Sequence, residues 1–461
     1  RSKTMNRTVD VIIVGAGPAG IMSAIKLQSH GLKILLLDDS FSLGGQIYKN
    51  VQNNQDEKTK KLFGAEYAKG SKLIQELDLT KVEYLPNASI WSIDKNSNVY
   101  FSYQGQSQAV NAKKIIIAVG SQERPFAVEG WTKPGVLSAT SAQIMLKESS
   151  IVKNDAVFIG SGPLFYYVIS QYIDAGATIK AIIDTTPIEN YFYALKYLPK
   201  ALKKIGILLQ GIGILLKFRK HNIKVHSFCK NIKLEGNEKL ESVSFNNENI
   251  KTDVAFIHNG LIPNINLQLQ AGCDYEYNHR KRSIDIKVDE FYQSSQSNIV
   301  VIGDGQSIKG VDIALIEAKI SATKILYDFK KITQESMLTY DEKYKRELKA
   351  ALSIRGFLDQ LYLPSDETLL PKKDDIIVCR CEEVKNIDIT KSIEIDAKGV
   401  NTVKTFTRCG MGNCQGRFCG LTLLEIMAKK TKRPIEDLEY LNIRSPIRPV
   451  RIEELTNLET I

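Results

Sequence analysis

The chain has 461 residues, 43% of them hydrophobic and 25% charged, a composition that indicates a globular protein of about three domains and excludes a disordered one. Its net charge of +10 comes from Lys and Arg spread along the sequence rather than gathered in a tail, and no nucleic-acid-binding motif accompanies them. We therefore expect a solvated basic surface and no nucleic-acid partner.

No secretory signal is recognisable, and the apolar run 205–216 is too short to cross a bilayer. These features predict a cytoplasmic protein whose membrane contact is peripheral at most.

A buried strand, a glycine turn and the start of a helix are predicted at residues 9–20, which read VDVIIVGAGPAG. Gly15 permits the tight turn, Gly17 lets the backbone approach a pyrophosphate, and Gly20 lets the helix pack closely on the strand. The helix N-terminus then directs free N–H groups at the phosphates. The next buried strand ends at Asp38, where a carboxylate can accept hydrogen bonds from ribose hydroxyls. This order predicts a dinucleotide site in a βαβ unit.

Three further features follow in the chain: a glycine pair in the LGGQI segment, an antiparallel meander over 87–103, and a buried strand that ends at Gly120. The order is similar to that of the two-dinucleotide-domain, glutathione-reductase-like flavoproteins, and the later pair Gly303-Asp304 matches them as well. The resemblance implies an α/β fold with two Rossmann-like domains and bound FAD. It also implies that Asp304 accepts a hydrogen bond from the ribityl chain and that the helix 310–322 begins at the flavin. On this resemblance, the residues expected to bind FAD are Gly15, Gly17, Pro18, Ala19, Gly20, Asp38, Asp39, Gly45, Gln46, Ile90, Ala118, Gly120, Gly303, Asp304 and Gly310.

A second nucleotide-binding pattern occupies residues 155–184, where a strand leads into the segment GSGPLF. Phe165 stands at the third glycine position and is expected to push the helix away from the strand. In glutathione-reductase-like enzymes this domain binds NAD(P)H, and the resemblance gives that role to Gly160, Gly162 and Asp184. Three outcomes stay open: an NADH site, another adenine nucleotide held structurally, and an empty scaffold.

The region 191–220 carries Tyr, Leu, Ile and Lys at helical spacing. A basic amphipathic helix of this kind can lie on a membrane surface, but we favour a helical insertion packed on the domain or on a partner. The charged, helical region beyond residue 335 predicts a connector. The expected division is 1–125 for the first part of an FAD-binding domain, 126–287 for an inserted NAD(P)-binding-like domain, 288–335 for the second part of the FAD-binding domain, 336–372 for the connector, and 373–461 for a C-terminal domain with its tail.

Five of the seven cysteines lie in the C-terminal region, in a CRC segment and a later RCGMGNCQGRFC segment. The other two are isolated, so the CxxC of the disulfide reductases is absent. Four soft thiolates suit an iron–sulfur cluster or zinc, and the spacing differs from the paired CxxC of zinc fingers. The region resembles the small, mainly helical bacterioferritin-associated-ferredoxin-like [2Fe-2S] domain, which implies as ligands Cys379, Cys381, Cys414 and Cys419. Cys409 competes with this set, and structural zinc is the other alternative.

Four segments occur together over most of the chain, namely GWTKPGV, GSGPL, CQGR and RSPIRPV. This combination is similar to the larger (α) subunits of heteromeric amine dehydrogenases, which include dye-linked L-proline dehydrogenases, hydroxyproline and opine oxidases, and a hydrogen cyanide synthase subunit. The resemblance implies that a flavoprotein β subunit of the amino-acid-oxidase type oxidises the C–N bond of a proline, hydroxyproline, sarcosine or opine. The present chain would accept the electrons with FAD and a [2Fe-2S] cluster and pass them to an acceptor. FMN at a subunit interface stays open.

The alternative is a stand-alone NADH-dependent flavin and iron–sulfur reductase that feeds a ferredoxin or another acceptor. No convergent acid–base set lies near the flavin motifs, so no catalytic residue is expected in this chain. His258, at the end of an apolar run, is expected to be a structural histidine.

Overall fold

The computed structural model of the chain describes residues 7–456 and Leu458. The N-terminal part contains β1 (Arg7–Val14), α1 (Pro18–Leu27), β2 (Ile34–Leu37), α2 (Glu57–Gln75), β3 (Val82–Leu85), β4 (Ser89–Ile93), β5 (Asn98–Tyr103) and β6 (Gln106–Ile117). The middle part contains β7 (Ser121–Glu123), β8 (Val136–Ser138), α3 (Ala139–Ser149), β9 (Ala156–Gly160), α4 (Pro163–Asp174), β10 (Ile179–Asp184), α5 (Ile188–Leu195), α6 (Leu198–Ala201), α7 (Ile205–Lys220), β11 (Val225–His226), β12 (Lys233–Glu235), β13 (Ser242–Phe245), β14 (Glu248–Lys251), β15 (Ala255–His258) and β16 (Leu261–Pro263).

The C-terminal part begins shortly after β16. It contains α8 (Asn266–Gln270), β17 (Tyr275–Asn278), β18 (Ser283–Ile286), β19 (Ile299–Val301), α9 (Val311–Asp328), α10 (Gln334–Ala351), α11 (Arg355–Leu361), α12 (Asp366–Leu369), β20 (Ile377–Cys379), β21 (Val384–Lys385), α13 (Asn386–Glu394), α14 (Val400–Thr407), α15 (Gly420–Thr431) and α16 (Ile452–Thr456).

The first sheet has the order β3-β2-β1-β6-β5-β4, and β19 also pairs with β6. The strands β2, β1, β6 and β19 are parallel, whereas β4 and β5 form an antiparallel meander with β6. The single long strand β6 serves both arrangements, because its first half pairs with β5 and its second half with β1. The sequence predicted the meander and the buried strand as separate elements. The structure joins them in one sheet, because the buried strand begins as early as Gln106 and pairs there with β5.

Both faces of this sheet are covered, which explains why β1 reads as a continuous apolar run. Val11 and Ile13 face one core, which includes α1 and α9, while Ile12 and Val14 face a second core on the other side. That second core also contains Val403 and other apolar residues of the C-terminal domain. The C-terminal domain is therefore packed on the first sheet and is not a free appendage.

The second sheet, of order β11-β10-β9-β15-β8, is parallel throughout. It carries a small antiparallel sheet of β12, β13 and β14. Two short antiparallel strands, β7 and β16, lead the chain into and out of this unit. The fold is thus α/β with two Rossmann-like domains and a small, mainly helical C-terminal domain.

The packing ends the second unit earlier than the expected boundary at residue 287. After β16, apolar residues of α8 and β18, such as Leu267 and Ile284, join the core on the first sheet. We therefore propose that the inserted unit spans roughly 124–263, with α8, β17 and β18 belonging to the FAD-binding domain. The expected connector begins with α10, which packs on α9, and ends beyond α11, which packs on α5.

The helices α5 to α7 leave many of their apolar side chains exposed. On α7 the side chain of Phe218 is buried, whereas most of the apolar residues before it are exposed. We expected this insertion to pack on the domain or on a partner; α7 packs on the domain through Phe218 and its contacts with α4, while its other face is exposed. Within the ranges that the structure describes, no helix has the length and apolar content needed to cross a membrane.

Candidate functional site

A cavity of about 690 Å³ opens at the carboxyl ends of β1, β2 and β6. This is the edge at which parallel α/β sheets bind ligands, because the strands end there and the helices begin. Every residue that the sequence analysis expected to bind FAD lines this cavity, with the exception of Gly20. Gly160, Gly162 and Asp184 of the second pattern lie outside it.

The three glycines of the first turn have different surroundings. At Gly15, which has a φ of +105°, a Cβ would come within 2.4 Å of the carbonyl oxygen of Ala118. At Gly20, a Cβ would come within 1.8 Å of the carbonyl oxygen of Gly15, so the absence of a side chain lets α1 pack on the turn. At Gly17, the nearest atom to a Cβ would be 3.9 Å away, in Gly45. Gly17 therefore borders open space in the cavity, as a backbone that approaches a pyrophosphate requires.

Two helices begin at the cavity wall, α1 after Gly17 and α9 after Gly310. Neither N-terminus is capped by a side chain, so the amides of the first turns and the positive ends of two helix dipoles face the cavity. The carboxylate of Asp304 accepts hydrogen bonds from the amides of Lys309 and Gly310 at 2.8 and 2.9 Å, which hold the loop before α9. This arrangement favours an anionic group in the cavity.

Asp38 stands at the end of β2 and is buried. Its carboxylate accepts hydrogen bonds from the amide of Ser40 at 2.7 Å and from the amide of Ala16 in the glycine turn. Burial raises the pKa of Asp38 despite these bonds. The neighbouring Asp39 forms an ion pair with Arg448, at 2.7 Å between Oδ2 and Nη2, so the C-terminal tail reaches the same wall. The cavity thus combines a glycine turn, two uncapped helix N-termini and a carboxylate at the end of a strand. These features together fit a dinucleotide such as FAD.

The second nucleotide motif is closed by the protein itself. Phe165 is fully buried, and its ring lies parallel to that of His258, with centroids 6.3 Å apart. The carboxylate of Asp184, only 4% exposed, accepts hydrogen bonds from the Tyr166 hydroxyl and the Thr186 amide, both at 2.8 Å. Burial raises the pKa of Asp184. Asp38 also has a protein donor on each oxygen, but it lines the cavity, whereas Asp184 lies outside it and is bonded to a tyrosine side chain. This difference argues against a ribose of NADH at the second motif.

The C-terminal thiols gather in one place. The Sγ atoms of Cys379, Cys409 and Cys419 lie within 4.8 Å of one another, and all three residues are buried. Cys381 and Cys414 form a hydrogen-bonded pair beside them, nearer the surface. Hydrogen bonds from Cys409 and then Cys419 lower the pKa of the Cys379 thiol to about 2, so this site favours a thiolate. Four or more thiols with a thiolate among them fit an iron–sulfur cluster or zinc.

Backbone atoms also lie close to these thiols. A Cβ at Gly412 would come within 2.3 Å of the Cβ of Cys381, and the amides of Gly410 and Glu382 donate hydrogen bonds to Cys379. Backbone amides near cluster sulfurs stabilise the charge that reduction adds.

The cavity and the thiols share one segment, residues 414–419. Arg417 lines the cavity, although it lies between two of the clustered cysteines in the sequence. Its guanidinium donates to the carbonyl oxygens of Cys414 and Ile447 at 3.2 Å, and its own carbonyl oxygen accepts from Gln122 at 2.6 Å. Gln122 also lines the cavity. A single turn of backbone therefore forms part of both walls.

Sequence reasoning missed Lys147 in this cavity. Lys147 is buried, and its ammonium donates to the carbonyl oxygens of Gln46 and Ile47 and to the side chain of Gln143. Burial lowers the pKa of Lys147 to about 7. No local signal marks this residue, because its burial depends on α3 packing over a loop one hundred residues earlier. The position of Arg417 in the cavity wall was also missed, although Arg417 belongs to the CQGR segment that the sequence analysis singled out.

His258 is paired with Glu123 through Nδ1 and is buried. Glu123 also accepts a hydrogen bond from the hydroxyl of Thr140 at 2.5 Å and lines the cavity. The pair joins β7 to the end of β15. A structural role for His258 remains a prediction.

Comparison with known proteins identifies two family matches. The model of the pyridine nucleotide-disulphide oxidoreductases matches residues 9–318, and that of the sarcosine oxidase A3 domain matches residues 374–457. An opine oxidase subunit of Agrobacterium tumefaciens is 34% identical, over 97% of this chain and 92% of that protein. Hydrogen cyanide synthase subunit HcnB of Pseudomonas protegens is 25% identical, over 96% of each chain. Among solved structures, L-proline dehydrogenase from P. horikoshii has a similar fold, with a TM-score of 0.73 and 22% identity over 99% of this chain and 81% of that one.

Proposed function

The chain belongs to the pyridine nucleotide-disulphide oxidoreductase family and to a family that includes an opine oxidase subunit, and we propose that it is the electron-transferring subunit of a heteromeric amine or imino-acid dehydrogenase. It is an FAD-dependent oxidoreductase. In the proposal, a second flavoprotein chain of the amino-acid-oxidase type oxidises the C–N bond of a proline, hydroxyproline, sarcosine or opine substrate. The present chain accepts those electrons and passes them to an acceptor. Relatives that are named as subunits support such a partner.

The observation that carries the proposal is the shared segment at residues 414–419. Arg417 faces the cavity, while Cys414 and Cys419 on either side of it belong to the group of thiols. Electron transfer between two centres depends on their separation, and a shared turn of backbone keeps the separation short. When bound, FAD supplies two-electron chemistry and a [2Fe-2S] cluster supplies one-electron chemistry. A chain that holds both can divide an electron pair between one-electron acceptors.

The residues proposed to hold FAD are those that line the cavity, with Gly20 supporting the turn from behind. Gly15 and Gly17 would approach the pyrophosphate, the amides at the start of α1 and α9 would offset its charge, and Asp38 would accept from a ribose. The proposed ligands of the cluster are Cys379, Cys381, Cys414 and Cys419. In the proposal, Cys409 is a fifth thiol that packs beside the cluster without binding iron.

The alternative, a stand-alone NADH-dependent reductase, requires a route for hydride into the flavin from the second domain. The buried ring of Phe165 and the tyrosine hydroxyl on the buried carboxylate of Asp184 argue against that route. We propose that the second domain is a scaffold and that electrons enter from the partner. A reducing compartment, the cytoplasm, is proposed because five of the seven cysteines are clustered in a pattern that suits a metal or cluster site and not a disulfide framework.

An anaerobic titration of the purified chain, followed by absorbance and electron paramagnetic resonance, tests the proposal. Dithionite should bleach the flavin and produce a reduced-cluster signal, whereas NADH should produce neither. Prompt bleaching by NADH would support the stand-alone reductase and would contradict the partner model. Zinc in place of iron would contradict the proposed division of electrons.

The partner is tested by purifying the chain from its own cells and identifying the flavoprotein that copurifies with it. The complex should reduce a dye on addition of one of the proposed amines, and the cluster signal of this chain should appear with the same substrate. A complex that turns over while the cluster of this chain stays oxidised would show that the electrons do not pass through it.

A further inference from the structure

Lys and Arg occur throughout the chain, but the excess of positive over negative charge falls in one segment of the sequence. Between residues 190 and 234 the sequence holds ten Lys and Arg residues and no Asp or Glu. The rest of the chain then has 52 basic and 52 acidic residues, so this tenth of the sequence accounts for the whole net charge of +10. An asymmetry of this size marks a surface that meets an anionic partner.

The same segment exposes a large apolar surface. On α7 the exposed apolar side chains are Ile205, Ile207, Leu209, Ile212, Leu215 and Leu216. On α5, Phe192 is 67% exposed. Soluble chains seldom leave so many large apolar side chains together in water, and such patches mark an interaction surface.

The exposed residues of α7 are ordered. Ile205, Leu209, Ile212 and Leu216 follow one another at intervals of four, three and four residues, which sets them in one stripe along the helix. Phe218 is buried and fixes the opposite side of the helix on the protein. Twelve residues of helix, 205–216, span about 18 Å, which is enough to lie along a bilayer surface and too little to cross it.

Contacts to α4 keep the stripe pointing outward. The ammonium of Lys217 donates to the hydroxyl of Ser170 at 2.8 Å and to the carboxylate of Asp174 at 2.7 Å. These bonds and the burial of Phe218 fix the rotation of α7 about its axis. The apolar stripe is thus presented by a fixed helix and is not turned outward by a loose loop.

Basic residues stand at both ends of the stripe. Lys200 and Lys203 precede it, and Arg219 and Lys220 follow it; all four are exposed, and none lies within 4 Å of a carboxylate of the described residues. An apolar stripe with Lys and Arg at its ends is the pattern of a helix in a lipid interface, because long basic side chains reach the phosphates while apolar ones enter the acyl region. The exposed aromatic residues of α5 suit the same boundary.

We propose that α5 and α7 bind the chain to an anionic membrane surface, with the apolar stripe of α7 at the acyl-chain boundary and the flanking Lys and Arg side chains on lipid phosphates. Because Gln210 of α7 lines the flavin cavity, this orientation sets the cavity wall one helix away from the lipid. The inference is independent of the substrate of the complex.

Flotation of the full-length, flavin-loaded chain with vesicles tests the proposal. Vesicles that contain phosphatidylglycerol should retain the chain, and pure phosphatidylcholine vesicles should retain it weakly. Retention should fall as salt is raised, because exposed charges are screened. Reversing two charges with Lys203→Glu and Lys220→Glu should weaken binding by at least about tenfold.

The stripe is tested with the double variant Leu209→Glu, Leu216→Glu, which should float no better than chain without vesicles. The matched control is Leu338→Glu, Ile395→Glu, since these two side chains are equally exposed elsewhere in the chain. All variants should keep the flavin spectrum and the melting temperature of the parent. Failure of the parent chain to float with phosphatidylglycerol, or equal flotation of the two double variants, would overturn the proposal. The proposal would also be overturned if the stripe variant lost a protein that copurifies with the parent chain while lipid vesicles had no effect on either protein. The surface would then be a protein interface.

Discussion

The hydroxyl of Tyr166 donates a hydrogen bond to the carboxylate of Asp184 at 2.8 Å, inside the second Rossmann-like domain. In a working dinucleotide site this carboxylate faces the ribose, but here it faces a tyrosine hydroxyl and lies outside the cavity that Asp38 lines. We therefore expect no saturable binding of NADH to the chain. Equilibrium dialysis with NADH, at concentrations up to the millimolar range, checks this prediction.

The variant Tyr166→Phe provides the control for this interpretation. It removes a donor to a buried carboxylate and should lower the free energy of unfolding by about 1–3 kcal/mol, as measured by denaturant titration. Its flavin content should not change, because Asp184 lies outside the flavin cavity. Saturable NADH binding by the parent chain that Asp184→Asn abolishes would show instead that the motif is functional.

Two glycines of the same turn should respond differently to a methyl group. Gly17→Ala fits the apo-protein, because φ is −76° and the nearest atom to the new Cβ is 3.9 Å away. The methyl group would nevertheless occupy space that the pyrophosphate needs, so FAD affinity should fall at least about tenfold with little loss of stability. Gly20→Ala should lose stability as well, since its Cβ would meet the carbonyl oxygen of Gly15 at 1.8 Å.

Flavin content after purification and the melting temperature separate these two effects. Gly399→Ala is the matched control, because this glycine begins α14, has an extended backbone and has open space around its Cα. The control should match the parent in both readouts. If Gly17→Ala binds FAD as tightly as the control does, the phosphates do not approach this turn.

The fifth thiol gives a prediction about the cluster. Cys409→Ala should keep the iron content and the spectrum of the reduced cluster, whereas Cys414→Ala should lose both. The reason is that Cys409 is proposed to pack on the cluster without binding it, while Cys414 and Cys381 supply the outer pair of ligands. The opposite result for the two variants would assign Cys409 as a ligand, together with the Cys379 and Cys419 thiols that it contacts.

Much of the first site could be predicted because its determinants are local in sequence. The turn at Gly15 and the strand-end carboxylate of Asp38 are fixed by a few neighbouring residues and by the regular geometry of a βαβ unit. The family resemblance that these motifs indicated is confirmed by the family matches over residues 9–318 and 374–457. Their contacts with FAD and with a cluster remain proposals.

Features that depend on distant packing could not be predicted. Lys147 reads as an ordinary helix residue, and its burial arises only where α3 meets the loop at Gln46. The inserted unit was expected to end near residue 287; the earlier end that we propose depends on the packing of Ile284 in the core beneath the first sheet, which no local pattern indicates. For α7, periodicity indicated a helix, but only the structure shows that its apolar stripe has no cover among the described residues.

The C-terminal domain is fixed to the rest of the chain by Arg282. Its guanidinium binds the buried carboxylate of Glu425 through two atoms, at 2.7 and 3.2 Å, and binds Asp366 at 2.8 Å. Arg282→Met should leave the Glu425 charge unpaired in the interior and should lower the free energy of unfolding by about 3–5 kcal/mol. The double variant Arg282→Met, Glu425→Met should recover most of this loss in a denaturant titration. A double variant as unstable as the single one would mean that Arg282 acts through packing and not through its charge.

The buried Lys147 makes a prediction about pH. Burial lowers its pKa to about 7 in the folded chain, whereas an exposed lysine in the unfolded chain has a pKa near its ordinary value of 10.5. Between these two values the unfolded state binds one more proton than the folded state, so the free energy of unfolding rises with pH. The rise should be at most about 1.4 kcal/mol per pH unit and should end near the pKa of the unfolded state.

The variant Lys147→Met isolates this contribution, because Met retains an unbranched chain but does not titrate. Denaturant titrations of parent and variant at several pH values between 7 and 10 should give a difference in the free energy of unfolding that increases with pH in favour of the parent. Other titrating groups are the same in both proteins and cancel in the difference. The hydrogen bonds to Gln46, Ile47 and Gln143 are lost in the variant at every pH, so they change the offset between the curves and not the slope. Parallel curves for the two proteins would show that Lys147 remains charged in its buried position.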